Sequence, residues 1–172
     1  AVTAESICYM PGYGIANAAA ALVGRSVGAG DMQSAKRDGS ICIALGVFLM
    51  TCTGAVMMVL CPLVFRILTP VSDVQQLAAH VLRIELLAEP LFGASIVAAG
   101  ALRGAGDTLV PSLLNLGSIW LVRVGSALVL VPRFGLTGMW TAMAVELCIR
   151  GLLLLVRQKT SKYYLPMDAK RP

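Results

Sequence analysis

An all-α membrane protein, built as a bundle of five transmembrane helices, is the fold this sequence predicts, and three observations predict it. Of the 172 residues, 58% are hydrophobic and 13% are charged, against about 25% charged in an ordinary globular chain, so there is too little polar surface to wrap a water-soluble core. The apolar residues fall in blocks of about 20 to 26, the length that crosses about 30 Å of hydrocarbon as a helix. Short polar stretches that hold most of the charge separate the blocks.

Taken in order, the apolar blocks place spans near 6–25, 41–65, 79–102, 108–131 and 135–157, which together make one helical bundle over 1–157. The remainder, 158–172, is polar and basic and reads as a tail. Span one carries Pro11 and span three carries Pro90; each ring removes a backbone hydrogen bond, so each span is expected to bend there. The polar segment 32–40 between spans one and two has room for a short helix lying in the headgroup region.

The tetrapeptide Gly-Ala-Gly-Asp occurs twice, at 28–31 and 104–107. Its glycines suit the left-handed conformation that stops a helix, and the Asp suits the N-cap of the next. Two spans intervene, so both turns lie on one side. That side and the tail hold Arg25, Lys36, Arg37, Arg103, Arg157, Lys159, Lys162, Lys170 and Arg171, against Arg66, Arg83 and Arg133 on the other. The positive-inside rule then places both turns and the C-terminus in the cytoplasm of a multi-pass protein of the plasma membrane. The lipid bilayer is thus its first partner.

The net charge of +5 is accounted for by this asymmetry, and no nucleic-acid partner is expected. The cysteines Cys8, Cys42, Cys52, Cys61 and Cys148 are scattered without Cys-x-x-Cys spacing and read as small apolar residues rather than ligands or disulfides. No metal site or other cofactor is expected, and the absence of catalytic constellations argues against an enzyme. Gly24-Arg25-Ser26-Val27-Gly28 fits the hydrolase G-x-S-x-G pattern, but it ends an apolar helix where that chemistry needs a strand-to-helix elbow. No signal peptide opens the chain, and its start at Ala1 is expected to be that of a fragment.

Ionisable groups at membrane depth are costly and mark interior sites. Here they are Glu85, Glu89, Arg123, Glu146 and Arg150. Counted along straight helices, Glu89 and Arg123 lie at similar depth, so an ion pair between them, with Glu85 beside it, is expected. Glu85 and Glu89 are four residues apart on one face, where burial adds to their repulsion, leaving a group suited to take up and release a proton or a fixed triad with Arg123. Glu146 and Arg150 have the same spacing with opposite charge, as a structural pair within one helix. Around Pro11, Tyr9, Met10, Tyr13 and Asn17 supply an aromatic, thioether and amide surface, suited either to binding small organic cations or to plain helix packing.

With these residues in place, the chain resembles the multidrug and toxic compound extrusion (MATE) family from about Tyr9 to Arg157. The resemblance is carried by Met10-Pro11-Gly12-Tyr13-Gly14-Ile15-Ala16, by Leu22-Val23-Gly24-Arg25-Ser26-Val27-Gly28-Ala29-Gly30-Asp31 and by Gly100-Ala101-Leu102-Arg103-Gly104-Ala105-Gly106-Asp107-Thr108. Trp120-Leu121-Val122-Arg123 and Gly135-Leu136-Thr137-Gly138-Met139-Trp140 add to it. It implies a transporter of twelve helices in two six-helix lobes with a substrate cleft between them, exporting organic compounds in exchange for a proton or sodium ion. On this resemblance the five spans are helices eight to twelve, most of the C-terminal lobe, and the missing N-terminal lobe is a partner. The alternatives are a lipid-linked-precursor flippase of the same superfamily, disfavoured because its cleft needs several arginines at depth, and a membrane-assembly fragment that does not transport.

Overall fold

The computed structural model describes residues 2–68 and 72–161, and among them every regular element is helical. In chain order these are α1 (Val2–Gly28), α2 (Met32–Leu68), α3 (Ser72–Leu86), α4 (Glu89–Gly104), α5 (Leu109–Gly117), a π-helical stretch (Ser118–Val124) and α6 (Gly125–Thr160). α3 and α4 make one bent span. α5, the π-helical stretch and the first part of α6 make another, and Gly135, at φ 55 and ψ −131, folds α6 back on itself. Only glycine adopts that conformation without strain, so the hairpin between the fourth and fifth spans is set by one residue.

Several local expectations are corrected. The segment 32–40 is not a separate surface helix but the first turns of the 37-residue α2. Its amphipathic pattern is used within the bundle, with Ala35 and Gly39 buried and Lys36 and Arg37 exposed. α1 runs through Pro11 without interruption. The third span does break at proline, but one turn earlier than a kinked helix would: α3 ends at Leu86, and Pro90 stands in the first turn of α4, where no intrahelical donor is needed. The helix of the last span continues to Thr160 and is followed by Ser161 in extended backbone, so 158–160 are not tail, and the rest of the expected tail beyond Ser161, 162–172, lies outside the described residues.

Small residues let the helices approach. α1 and α4 run parallel, with Gly100 seated on the backbone of Ala16 and Gly104 on that of Ala20, so that a Cβ at Gly104 would come within 2.8 Å of Ala20 Cα. α2 and α4 run antiparallel in a regular ladder. A Cβ on Gly46 would meet Val97, one on Gly93 would meet the Met50 sulfur at 2.7 Å, and one on Gly54 would meet Glu89 Cγ at 3.4 Å. Every fourth residue of each helix takes part, alternating large against small, which is how close helix crossings form where lipid offers no hydrophobic drive between helices. The main core along this ladder joins Ala16, Ala19, Val23, Met50, Val97 and Leu102. Cys8, Cys42 and Cys61 are buried among apolar groups, whereas Cys52 is exposed.

The outward faces remain apolar. Met32–Ile67 and Leu109–Thr160 are long and apolar enough to cross a membrane, yet only 28% of each apolar stretch is buried, so the rest needs hydrocarbon or a neighbouring helix. Phe48, Val59, Ile67 and Leu121 are among the exposed side chains.

The two Gly-Ala-Gly-Asp turns stop their helices in the same way. Gly30 (φ 80) and Gly106 (φ 93) are left-handed. In the first, the Gly30 N–H donates to Val27 and that of Asp31 to Ser26; in the second, Gly106 donates to Arg103 and Asp107 to Leu102. This pair of hydrogen bonds is the Schellman stop, which satisfies the last carbonyls of a helix. The aspartates then diverge. Asp31 Oδ1 accepts the Ser34 N–H at 2.9 Å and caps α2, and the Ser34 hydroxyl and N–H hold its carboxyl below the usual value. Asp107 caps nothing and turns inward instead.

A Cβ in the left-handed region costs about 1–2 kcal/mol, so Gly30→Ala and Gly106→Ala should each lower the midpoint of thermal unfolding in detergent. Gly117→Ala, at a helical position with open space around it, should be neutral or stabilising. Equal midpoints for Gly106→Ala and Gly117→Ala would contradict the turn assignment.

Candidate functional site

The site is organised by Glu146, which is 0% exposed and lies on the second arm of α6. A carboxylate buried to this degree needs compensation. Ser118 Oγ donates to its Oε1 at 2.7 Å, and Arg123 Nη2 donates to its Oε2 at 3.0 Å. Arg150, one turn further along α6, places Nε 3.4 Å from Oε1. Both carboxylate oxygens are thereby engaged by two guanidinium groups and a hydroxyl.

The π-helical stretch explains how Ser118 and Arg123 reach the same carboxylate. In an α-helix, residues five apart point about 140° away from each other. In a π-turn the i→i+5 hydrogen bond stacks them, so Ser118 and Arg123 share the face that looks at α6. Gly117 and Gly125 bracket the stretch, and the Ser126 hydroxyl donates to the Val122 and Arg123 carbonyls. Widened turns of this kind recur at functional sites.

Arg123 therefore does not take the partner expected of it. Arg123 and Glu146 stand at nearly equal distances along the chain from the Gly135 turn, so the antiparallel hairpin sets them opposite each other. Glu89 packs its Cβ and Cγ against Gly54 of α2. Glu85 and Glu89 are both 1% exposed, but they do not share one helix: Glu85 stands in the last turn of α3 and Glu89 begins α4.

Beyond Glu146 the site opens into a cleft of about 240 Å³ between α1, α4, α5 and α6. Arg150 leads into it: its Nη1 donates to Asn115 Oδ1 and its guanidinium carbon lies 5.5 Å from the Phe92 ring centroid, a cation–π distance. Tyr9 stands edge-on to both Tyr13 and Phe92, with ring centroids at 5.7 and 6.0 Å. Of the four candidates on α1, Tyr13 lines the cleft and Tyr9 supports it, whereas Met10 and Asn17 are exposed on the same helix outside it. At the end of the bundle that carries the two turns, the 1%-exposed Asp107 binds Arg157 through Nη2 at 2.7 Å and Nε at 2.8 Å, fastening the second turn to the last span.

Sequence reasoning missed Ser118, Asn115, Phe92 and the Asp107–Arg157 pair. The two polar residues had a faint signal, since Asn115 and Ser118 lie three apart within an apolar span and so face one way. Nothing in the pattern announces the π-turn that completes the site. Among the described residues no three His, Cys, Asp or Glu side chains are placed to hold a metal ion.

The family model described as MatE matches residues 1–129. The probable multidrug resistance protein NorM of Brucella suis biovar 1 (strain 1330) is 35% identical over 165 residues, 91% of this chain and 35% of that protein. The multidrug and toxin extrusion protein 1 of Pongo abelii is 25% identical over 160 residues, 89% of this chain and 28% of that protein. Among solved structures, the inward-facing conformation of a multidrug resistance MATE family transporter of the MOP superfamily superposes with a TM-score of 0.88 at 15% identity, over 98% of this chain and 39% of that one. The MATE transporter ClbM in complex with Rb+ does so with a TM-score of 0.81 at 21% identity, over 98% and 42%. These likenesses show the fold, and the chain spans roughly a third of the length of the relatives it matches. From the match over residues 1–129, the chain belongs to the MatE family of integral membrane proteins.

Proposed function

We propose that this chain is a working lobe of a secondary exporter that moves organic, often cationic compounds out of the cell in exchange for protons or sodium ions by alternating access. The observation that carries the reading is an aromatic-walled cleft set beside a buried charge cluster, in a membrane bundle whose relatives are named as multidrug resistance proteins. Met10 and Tyr13, 69% and 49% exposed on one face of α1, offer thioether and ring surfaces to a flat cation. A second lobe, within the remaining length of the relatives, supplies the other wall of the transport path. No bond-making chemistry is involved.

Coupling falls to Glu85 and Glu89. Two buried carboxyls, four residues apart across the break between α3 and α4, repel each other when both are charged, and binding a proton or a sodium ion relieves that repulsion. Because Glu89 packs against α2 at Gly54, the relief is felt at a helix contact and can bias the packing of two spans. The basic-residue asymmetry supports an orientation in the plasma membrane with the Gly-Ala-Gly-Asp turns and the C-terminus in the cytoplasm.

Orientation is tested by labelling in intact cells after removal of the native cysteines. Gln33→Cys and Thr160→Cys, both at exposed positions, should be shielded from an impermeant maleimide, and Arg133→Cys should react. Reaction at Thr160→Cys without reaction at Arg133→Cys would reverse the topology. Coupling is tested by uphill export in vesicles under imposed proton or sodium gradients. Glu89→Gln in the full-length transporter should bind drug yet lose gradient-driven export, because a permanently neutral side chain cannot alternate between charge states. Unchanged uphill export in Glu85→Gln, Glu89→Gln and the double variant would remove the carboxyl pair from the coupling role.

A further inference from the structure

The charge in and around the cleft does not balance. Arg123 and Arg150 share the single carboxylate of Glu146, at 3.0 and 3.4 Å, so this cluster retains one unit of positive charge inside the bundle. Arg103 adds a second cation to the cleft wall, and none of the residues lining the cleft is acidic. Asp107, the carboxylate closest to Arg103 in the sequence, is committed to Arg157 at 2.7 Å. An uncompensated cation at membrane depth is costly, and an anion entering the cleft would relieve that cost.

The remaining lining has the parts such an anion needs. Ser112 carries a hydroxyl at the cleft wall, and Asn115 accepts from Arg150 through its oxygen, which leaves its amide nitrogen as a donor. Tyr13 and Phe92 line the cleft with Arg150 and give it an aromatic wall. The volume of about 240 Å³ suits a compact headgroup with one ring.

The geometry points to a binding site for an organic anion, its phosphate or carboxylate held between Arg103 and Arg150 and its apolar body against Tyr13 and Phe92. Guanidinium groups bind both anions through paired N–H donors. The same chemistry is offered by a soluble aryl anion and by an acidic lipid headgroup. The site adds an anion-accepting end to the cleft of the proposed exporter, and it rests on that reading only for naming the bound anion a substrate.

Binding is measured at equilibrium by calorimetry on the full-length transporter in phosphatidylcholine nanodiscs, with phenyl phosphate as probe and benzyl alcohol as its uncharged counterpart. Phenyl phosphate should bind, benzyl alcohol should bind far more weakly, and Arg103→Gln should weaken phenyl phosphate about tenfold. Arg103 lies outside the Glu146 cluster, so this variant keeps the test readable even where Arg150→Gln fails to fold. Replacing part of the lipid with phosphatidylglycerol separates the sources: competition with phenyl phosphate identifies an acidic headgroup as the occupant, and absence of competition identifies a soluble anion. Equal binding of phenyl phosphate and benzyl alcohol, or phenyl phosphate affinity unchanged by Arg103→Gln, would overturn the site. Failure of gradient-driven export in vesicles would leave these binding results standing, so the two readings fail separately.

Discussion

Glu146 is a full charge placed where water does not reach, and much of the arrangement of the last two spans comes from satisfying it. One carboxylate, 0% exposed, needs donors for both oxygens. They come from Ser118 and Arg123 on the facing span, and Arg150 on its own span adds a counter-charge at 3.4 Å. A regular α-helix could not aim Ser118 and Arg123 the same way, and the π-turn over 118–124 supplies the missing rotation. The Gly135 reversal sets the register that brings Arg123 opposite Glu146. Remove the carboxylate and two guanidinium groups face each other across a low-dielectric contact.

The other half of the bundle is held by shape. Gly100 and Gly104 accept the backbone of α1, while Gly46, Gly93 and Gly54 accept side chains across the α2–α4 ladder. Packing of this kind gives two helices a defined register without any polar contact. Glu89 is one rung of that ladder, with its Cβ and Cγ against Gly54. The two Gly-Ala-Gly-Asp turns show how one short motif serves both halves. The backbone stop is the same in each, but Asp31 caps its own helix whereas Asp107 reaches Arg157 on the last span.

How much of this was legible in the sequence depends on whether the feature is local. The five spans, a left-handed glycine in each turn and a departure from straight helix at Pro90 come from block length, residue chemistry and the proline ring, all of which act within a few residues. That the second glycine and not the first is left-handed, and that the span breaks before Pro90, is seen only in the structure. The continuity of α2 was hidden because 32–40 is polar by composition. Its Ala35 and Gly39 are buried, and the segment belongs to the bundle rather than to the headgroup layer. The partner of Arg123 was hidden for a different reason. Position along a helix was readable, but azimuth was not, since a π-turn changes where every later side chain in the span points. Asp107 looked like a second N-cap for the same reason: its alternative partner lies 50 residues away in sequence.

The chain thus joins a charge-centred hairpin to a shape-centred helix ladder, with the aromatic cleft between them. This arrangement stands or falls on Arg123 answering to Glu146 and not to Glu89. Double-mutant cycles on thermodynamic stability, run for Arg123→Ala with Glu146→Gln and for Arg123→Ala with Glu89→Gln, test that pairing. A coupling of about 1–3 kcal/mol is expected for Arg123 with Glu146, and one near zero for Arg123 with Glu89. A larger coupling to Glu89 than to Glu146 would contradict it.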